Sequence, residues 1–149
     1  MHIASILTAE RTLNHAQCGS KKKALETLAE LIAKSSDDID AEELFHQLIA
    51  RERLGSTGLG QGIAIPHCRF KTQGRTIGAL MTMKQAIDYD SVDGKPVDLI
   101  FAMLVPEDAE SEHLQTLATL AEAMQKTDFV DALRDTSSNE QLYKLAVTI

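Results

Sequence analysis

Apolar residues recur along the chain in two different periods. In "GSKKKALETLAELIAKSS", Ala24, Leu25, Leu28, Leu31 and Ile32 fall three or four positions apart. That spacing places them on one face of a helix. Ser20 is positioned to cap its first turn. "DIDAEELFHQLIARERLG" repeats the pattern with Leu44, Leu48 and Ile49 facing inward. Asp40 caps it, Glu43 stands in capping-box register, and Gly55 is a suitable stop. The period then shortens. "GIAIP" predicts a short strand that Pro66 must end or hold at an edge. "TIGALMTM" (Thr76–Met83) predicts a second strand. "VDLIFAMLV" (Val97–Val105) predicts a third, the most buried, because it is almost continuously apolar. Asp93-Gly94 marks a turn between them. The last third returns to helical spacing in "SEHLQTLATLAEAMQK", "TDFVDALRD" and "SSNEQLYKLAVTI", with Ser111, Thr127 and Ser138 as caps. Helices, strands, then helices predict a single α/β domain over residues 1–149, a small mixed sheet covered by helices.

Composition narrows the function classes. The 149 residues include 15 basic and 22 acidic side chains, a net charge of −7. Binding to nucleic acid through bulk electrostatics wants the opposite sign, whereas docking to a partner with a basic patch is allowed. Cys18 and Cys68 are too few for a disulfide framework, and a reduced pair is expected. The N-terminus has no secretory pattern and no apolar run approaches membrane-spanning length. The chain is therefore expected to be soluble and cytoplasmic. The basic triplet Lys21–Lys23 reads as a solvated face or a docking patch. His46, in mid-helix, reads as a surface or core residue.

The candidate chemistry lies in "RERLGSTGLGQGIAIPHCRF" (residues 51–70), where four glycines fall between Gly55 and Gly62. Composition alone makes this a flexible loop. As a Walker A loop it has the glycine spacing from Gly55 to Gly60, but Gln61 stands where lysine is required. As a dinucleotide loop it matches at Gly58 and Gly60 and fails at Ile63, and the helix precedes rather than follows. Gly55-Ser56-Thr57-Gly58 is not a nucleophile elbow. His67 and Cys68 are adjacent, so their side chains diverge on an extended backbone. No spacing supplies the remaining ligands of a metal site. Neither a metal nor a cofactor is expected.

His67 remains, at a strand end just past a proline. A largely neutral imidazole can attack phosphorus and hold the phosphoryl group as a phosphoramidate. Pro66 fixes one backbone angle and pushes Ile65 toward extended geometry, which aims His67 away from the sheet edge. The residues themselves leave a second reading open, an exposed or structurally bonded loop histidine.

"RERLGSTGLGQGIAIPH" resembles the phosphohistidine motif of phosphotransferase-system enzyme IIA domains of the fructose/mannitol type, most of all the stand-alone nitrogen-related group. The resemblance extends through "SKKKALETLAEL", "PVDLIFAMLVPED" and "HLQTLATLAEAM". It implies a mixed sheet with helices on both faces. It also implies that His67 is phosphorylated on Nε2, that Arg51 lies near the phosphoryl group, and that His113 is a second active-site histidine. Ser56 and Thr57 would add hydroxyl donors, and Gly58, Gly60 and Gly62 backbone N–H groups. Without the resemblance, Arg51 is a charge at a helix C-terminus and His113 a first-turn surface residue. Gln61 replaces the more familiar asparagine or histidine, and Cys68 a small residue, usually glycine. Cys68 is either a packed residue or an oxidation-sensitive neighbour.

The function implied is that of a phosphotransferase component rather than a free-standing enzyme. The donor would be a histidine phosphocarrier protein. The phosphorylation state would regulate targets such as sensor kinases or transporters. The alternatives are a sugar-system IIA donating in trans to a separate IIB, and a binding module that keeps the fold without phosphotransfer. The stand-alone length and the "RERLGSTG" lead-in favour regulation.

Overall fold

The computed structural model describes residues 2–109 and 112–149. The first two helices form where periodicity and caps coincide. In α1 (Lys21–Lys34), Ser20 Oγ accepts the Lys23 N–H at 3.1 Å. In α2 (Ala41–Arg53), Asp40 Oδ2 accepts the Glu43 N–H at 2.9 Å. Both side chains satisfy an N–H that a helix start leaves without an intrahelical partner.

The strands are β1 (Thr12–Ala16), β2 (Gly58–Gly60), β3 (Ile63–Ala64), β4 (His67–Phe70), β5 (Ile77–Ile87) and β6 (Val97–Pro106). The sheet order is β1-β5-β6-β3-β2, with β4 also pairing to β6. The sheet is mixed: β1 runs parallel to β5, β5 antiparallel to β6, and β3 and β4 parallel to β6.

β6 shows why its sequence is almost continuously apolar. Ile100, Ala102 and Leu104 face a core shared with Leu25, Leu28 and Ile32 of α1 and Leu44 and Leu48 of α2. Leu99, Phe101, Met103 and Val105 face a second core on the opposite side of the sheet. There lie α3 (Glu112–Ala123), α4 (Thr127–Arg134) and α5 (Asn139–Ala146), through Leu120, Val130, Leu133 and Leu142. A strand covered on both faces has no polar side to present. Helices on both faces of a mixed sheet are the architecture that the sequence resemblance implied.

Several expectations need correction. Thr127 is the first helical residue of α4, not its cap; Lys126 takes the cap position and makes no side-chain bond there. Ser138 does cap α5, accepting from Gln141 N–H. Ser111 lies outside the described residues. The glycine segment is not a flexible loop. It builds β2 and a hairpin into β3, with Gln61 and Gly62 at φ 58° and 83°. Positive φ at both central residues is what a type I′ hairpin turn requires.

Candidate functional site

β3 and β4 are one interrupted line along β6. Ile63 and Ala64 lie opposite Leu99 and Ile100, and His67 and Cys68 opposite Met103 and Leu104, so the register is unchanged across the gap. Ile65 and Pro66 fill that gap. The Ile65 N–H turns away to the Thr57 carbonyl at 3.1 Å, Pro66 has no N–H, and the Pro66 carbonyl accepts Met103 N–H at 2.9 Å. Proline is tolerated here because the ladder donor at this position is already missing. His67 therefore opens a strand, where the sequence placed it at a strand end.

The His67 ring is half-buried, and its Nδ1 lies 2.8 Å from the Ile65 carbonyl oxygen. A carbonyl only accepts, so Nδ1 carries the proton and Nε2 carries the lone pair. Burial holds the imidazole below its ordinary pKa, and the Arg51 and His113 charges act in the same direction. The Ile65 hydrogen bond and Glu52 oppose them. Held below its ordinary pKa, the ring is neutral at pH 7, with its lone pair on Nε2.

Arg51 comes from the last turn of α2, below one face of the sheet, and His113 from the first turn of α3 on the other. With His67 they line a single cavity of about 380 Å³, joined by Gln47, Leu54 and Arg69. Arg51 Nη1 donates to the Gly55 carbonyl at 2.9 Å, which fixes one side of the guanidinium and leaves its other donors. Arg69 Nη1 donates to the Ala109 carbonyl, tying β4 to the segment that precedes α3. His113 Nδ1 is buried without a hydrogen-bond partner among the described residues. The three residues brought together by the sequence resemblance thus line one cavity: an imidazole with its Nε2 lone pair, a permanent cation and a second imidazole.

The expected hairpin donors are placed differently. Ser56, Thr57, Gly58, Gly60 and Gly62 do not line this cavity. Ser56 Oγ reaches the Tyr89 carbonyl and accepts the Gly58 N–H, and the Thr57 hydroxyl is bonded to Glu52. A Cβ on Gly58 would sit 2.5 Å from Ser91 Oγ, and one on Gly62 would sit 2.6 Å from Arg134 Nη2. These glycines admit close packing by the protein's own side chains. Cys68 is buried against the α1–α2 core, and burial pushes its thiol up to about 12, so it is a packed residue.

Sequence reasoning missed Glu52, Lys21 and Tyr89, described below. Lys21 is not part of a solvated triplet: it reaches Glu52 while Lys22 and Lys23 stay exposed. A glutamate on the inward face of α2, at the spacing of Leu44 and Leu48, was the available signal.

Comparison with known proteins decides the family. Residues 5–146 match the family described as phosphoenolpyruvate-dependent sugar phosphotransferase system, EIIA 2. The chain belongs to this family. It is 43% identical over 149 residues to a nitrogen regulatory protein of Pseudomonas aeruginosa, covering 100% of this chain and 97% of that relative. The crystal structure of the nitrogen regulatory protein IIA-Ntr from Neisseria meningitidis superposes with a TM-score of 0.89 at 38% identity, covering 97% of this chain and 98% of that one. The mannitol IIA of Escherichia coli shares the fold, with a TM-score of 0.73 at 19% identity over 93% of this chain and 97% of that one. Membership of this family implies partners in phosphoryl transfer. No helix among the described residues is long and apolar enough to cross a membrane.

Proposed function

We propose that the protein is a regulatory phosphocarrier in which His67 accepts a phosphoryl group from a histidine phosphocarrier protein. The observation that carries this reading is the His67 ring itself. Nδ1 is committed to the Ile65 carbonyl, which leaves the Nε2 lone pair on a half-buried imidazole beside Arg51.

Nε2 attacks the phosphorus of the donor's phosphohistidine. A new N–P bond forms as the donor's N–P bond breaks, and the donor leaves as imidazole. The bond types exchanged are the same, so the reaction needs positioning and charge stabilisation more than a driving force. The group arriving carries close to two negative charges. Arg51 supplies a charge that cannot be lost at any working pH and several planar donors. His113 supplies an imidazole on the opposite wall. Leu54 on the cavity edge and Leu114 beside His113 are exposed, giving the entrance an apolar rim suited to a protein donor rather than a free anion.

The relatives named nitrogen regulatory proteins support a regulatory outcome. Phosphorylation replaces a neutral ring by an anion on a docking face, and partners such as sensor kinases or transporters that read this face bind one state better.

Incubation with phosphoenolpyruvate, enzyme I and the cognate phosphocarrier, followed by intact mass, tests the chemistry. One acid-labile phosphoryl adduct is expected, absent in His67→Ala. No adduct under conditions that charge the phosphocarrier overturns the reading. Pull-downs with wild type, His67→Ala and His67→Asp then test regulation: partner sets that do not change with charge at this position argue against it.

A further inference from the structure

Glu52 follows Arg51 on α2 but turns into the protein. Its side chain is 4% exposed and its carboxylate meets Lys21 Nζ at 2.9 Å. The same carboxylate accepts the Thr57 backbone N–H at 3.2 Å and the Thr57 hydroxyl. Thr57 Oγ1 lies 3.2 Å from the Tyr89 hydroxyl, and the Lys21 ammonium sits 4.5 Å from the centre of the Tyr89 ring. Tyr89 is fully buried, and burial, followed by the Glu52 charge, pushes its phenol up, so it keeps its proton. A buried carboxylate needs a counter-charge and filled acceptor sites, and this one has both.

Two chains of bonds lead from this cluster to the reactive groups. The Thr57 carbonyl accepts Ile65 N–H at 3.1 Å, and the Ile65 carbonyl accepts the His67 Nδ1 proton at 2.8 Å. On the other side, Gly55 N–H donates to the Glu52 carbonyl at 3.1 Å, and the Gly55 carbonyl receives Arg51. The nucleophile and the cation are thus referenced to one short segment, residues 52–57, and Glu52 grips that segment at Thr57 by two bonds.

We propose that Glu52 is a positioning residue for phosphoryl transfer: by clamping Thr57 it holds the Ile65 carbonyl that keeps the proton on His67 Nδ1 and the lone pair on Nε2. This rests on the reading of His67 as the acceptor. A rigid peptide carbonyl selects the tautomer only if it stays in place, and Ile65 is in the gap between β3 and β4, where the β6 ladder does not hold it. An apolar residue at position 52 could fill the space but could not direct the Thr57 peptide.

The test combines phosphorylation time courses with nitrogen NMR of the His67 ring, in the full chain. Glu52→Gln keeps the shape and removes the charge paired with Lys21. Its phosphorylation rate at saturating donor is expected to fall about tenfold, with the half-saturating donor concentration within about twofold of wild type. The ring nitrogens should move from a single Nδ1–H tautomer toward a mixture. Thr57→Val should shift both readings the same way, and Thr57→Ser, which keeps the hydroxyl, should restore them. A folded Glu52→Gln with wild-type rate and tautomer overturns the proposal. So does a rate that merely follows the loss of melting temperature while the tautomer stays unchanged. If Glu52→Gln does not fold, the Thr57→Val and Thr57→Ser pair decides by the same two readings. A wild type that takes no phosphoryl group at all would instead defeat the acceptor reading, and the tautomer measurement would still report on the clamp.

Discussion

The glycine hairpin and the His67 cavity are built from one continuous stretch of chain, yet they are opposites. In the hairpin, polar groups find partners inside the protein. Gln61 N–H donates to Asp93 at 2.9 Å, the Gln61 carbonyl accepts from Arg134 at 2.8 Å, and the Gly62 carbonyl accepts from both Asp98 and Leu99. In the cavity, among the described residues, no side-chain or backbone partner meets His67 Nε2 or the buried Nδ1 of His113, and Arg51 is bonded at Nη1. A buried polar group without a partner costs free energy, so native structures rarely keep one except where it has something to bind. Gly58 and Gly62, which drew attention as parts of a ligand loop, lie close against Ser91 and Arg134. Among the described residues, the two buried polar atoms left without a partner are one on each side, His113 Nδ1 in the cavity and Ser91 Oγ beside Gly58.

That contrast predicts opposite mutant phenotypes. In the cavity, Arg51→Ala should slow phosphoryl transfer by about 100-fold, the scale for losing one charged donor to a developing anion. Its cost in stability should stay near 0.5 kcal/mol, as for a charge at a helix C-terminus. Time courses and denaturant melts on the same variant separate the two. Unfolding comparable to a core substitution would make Arg51 structural. In the hairpin, Gly58→Ala should do the reverse. Its Cβ meets Ser91 Oγ at 2.5 Å and the Ser91 Cα at 3.1 Å, and the second of these is backbone. A loss of about 1–3 kcal/mol is expected from such overpacking, with the folded fraction still accepting phosphate at close to the wild-type rate. A Gly58→Ala protein that is stable but inert would break the distinction.

The same contrast explains what the sequence could show. α1, α2 and β6 were legible because burial imposes a period, and Ser20, Asp40 and Ser138 because a cap is a local event. β1 was missed because it is irregular: His15 takes φ 52° and the register slips between Leu13 and Ala16, so no alternation survives. β2 was read as a loop because glycine has no side chain to alternate. β4 was missed because Pro66 looked like a stop, whereas the chain resumes its ladder with β6 one residue later, at His67. At the site, His67, Arg51 and His113 were singled out through resemblance to a motif. Their meeting in one cavity depends on two helices from opposite faces of the sheet, which no local pattern encodes. Glu52 was hidden for the converse reason: it follows the helical period of core positions and only the fold shows that Lys21 and Thr57 surround it.

A smaller effect should appear with pH. Since burial, Arg51 and His113 hold His67 below its ordinary value of ~6.5, phosphoryl acceptance should decline only at lower pH than a free imidazole would predict. A ring titration by NMR should give a midpoint below ~6.5, and Arg51→Ala should raise it by removing one of the depressing charges. For stability the sign follows from proton counting. The unfolded chain binds the His67 proton more readily than the folded one. This residue's contribution is therefore full above the unfolded pKa and declines as pH falls through it toward the folded value. His67→Ala should flatten that part of the stability profile. A midpoint above ~6.5 would mean that Glu52 and the Ile65 bond, not burial, dominate the ring.

The smallest effect tests the hairpin side at a single atom. Ser91 Oγ is buried against Gly58 and has no hydrogen-bond partner among the described residues. An unsatisfied hydroxyl is a cost that removal relieves, whereas a bonded one is a loss that removal exposes. Ser91→Ala should therefore be neutral or stabilising by up to ~1 kcal/mol, and phosphorylation should be unchanged. It should also soften Gly58→Ala, because the nearest clash disappears, though only in part: Ser91 Cβ would still stand 2.9 Å from the new methyl. Melts of the two single variants and the double variant give the coupling directly. Additive effects would show that the cost of Gly58→Ala lies in its own backbone rather than in the contact with Ser91. A destabilising Ser91→Ala would show that the hydroxyl has a partner, and would extend the satisfied hairpin to this atom as well.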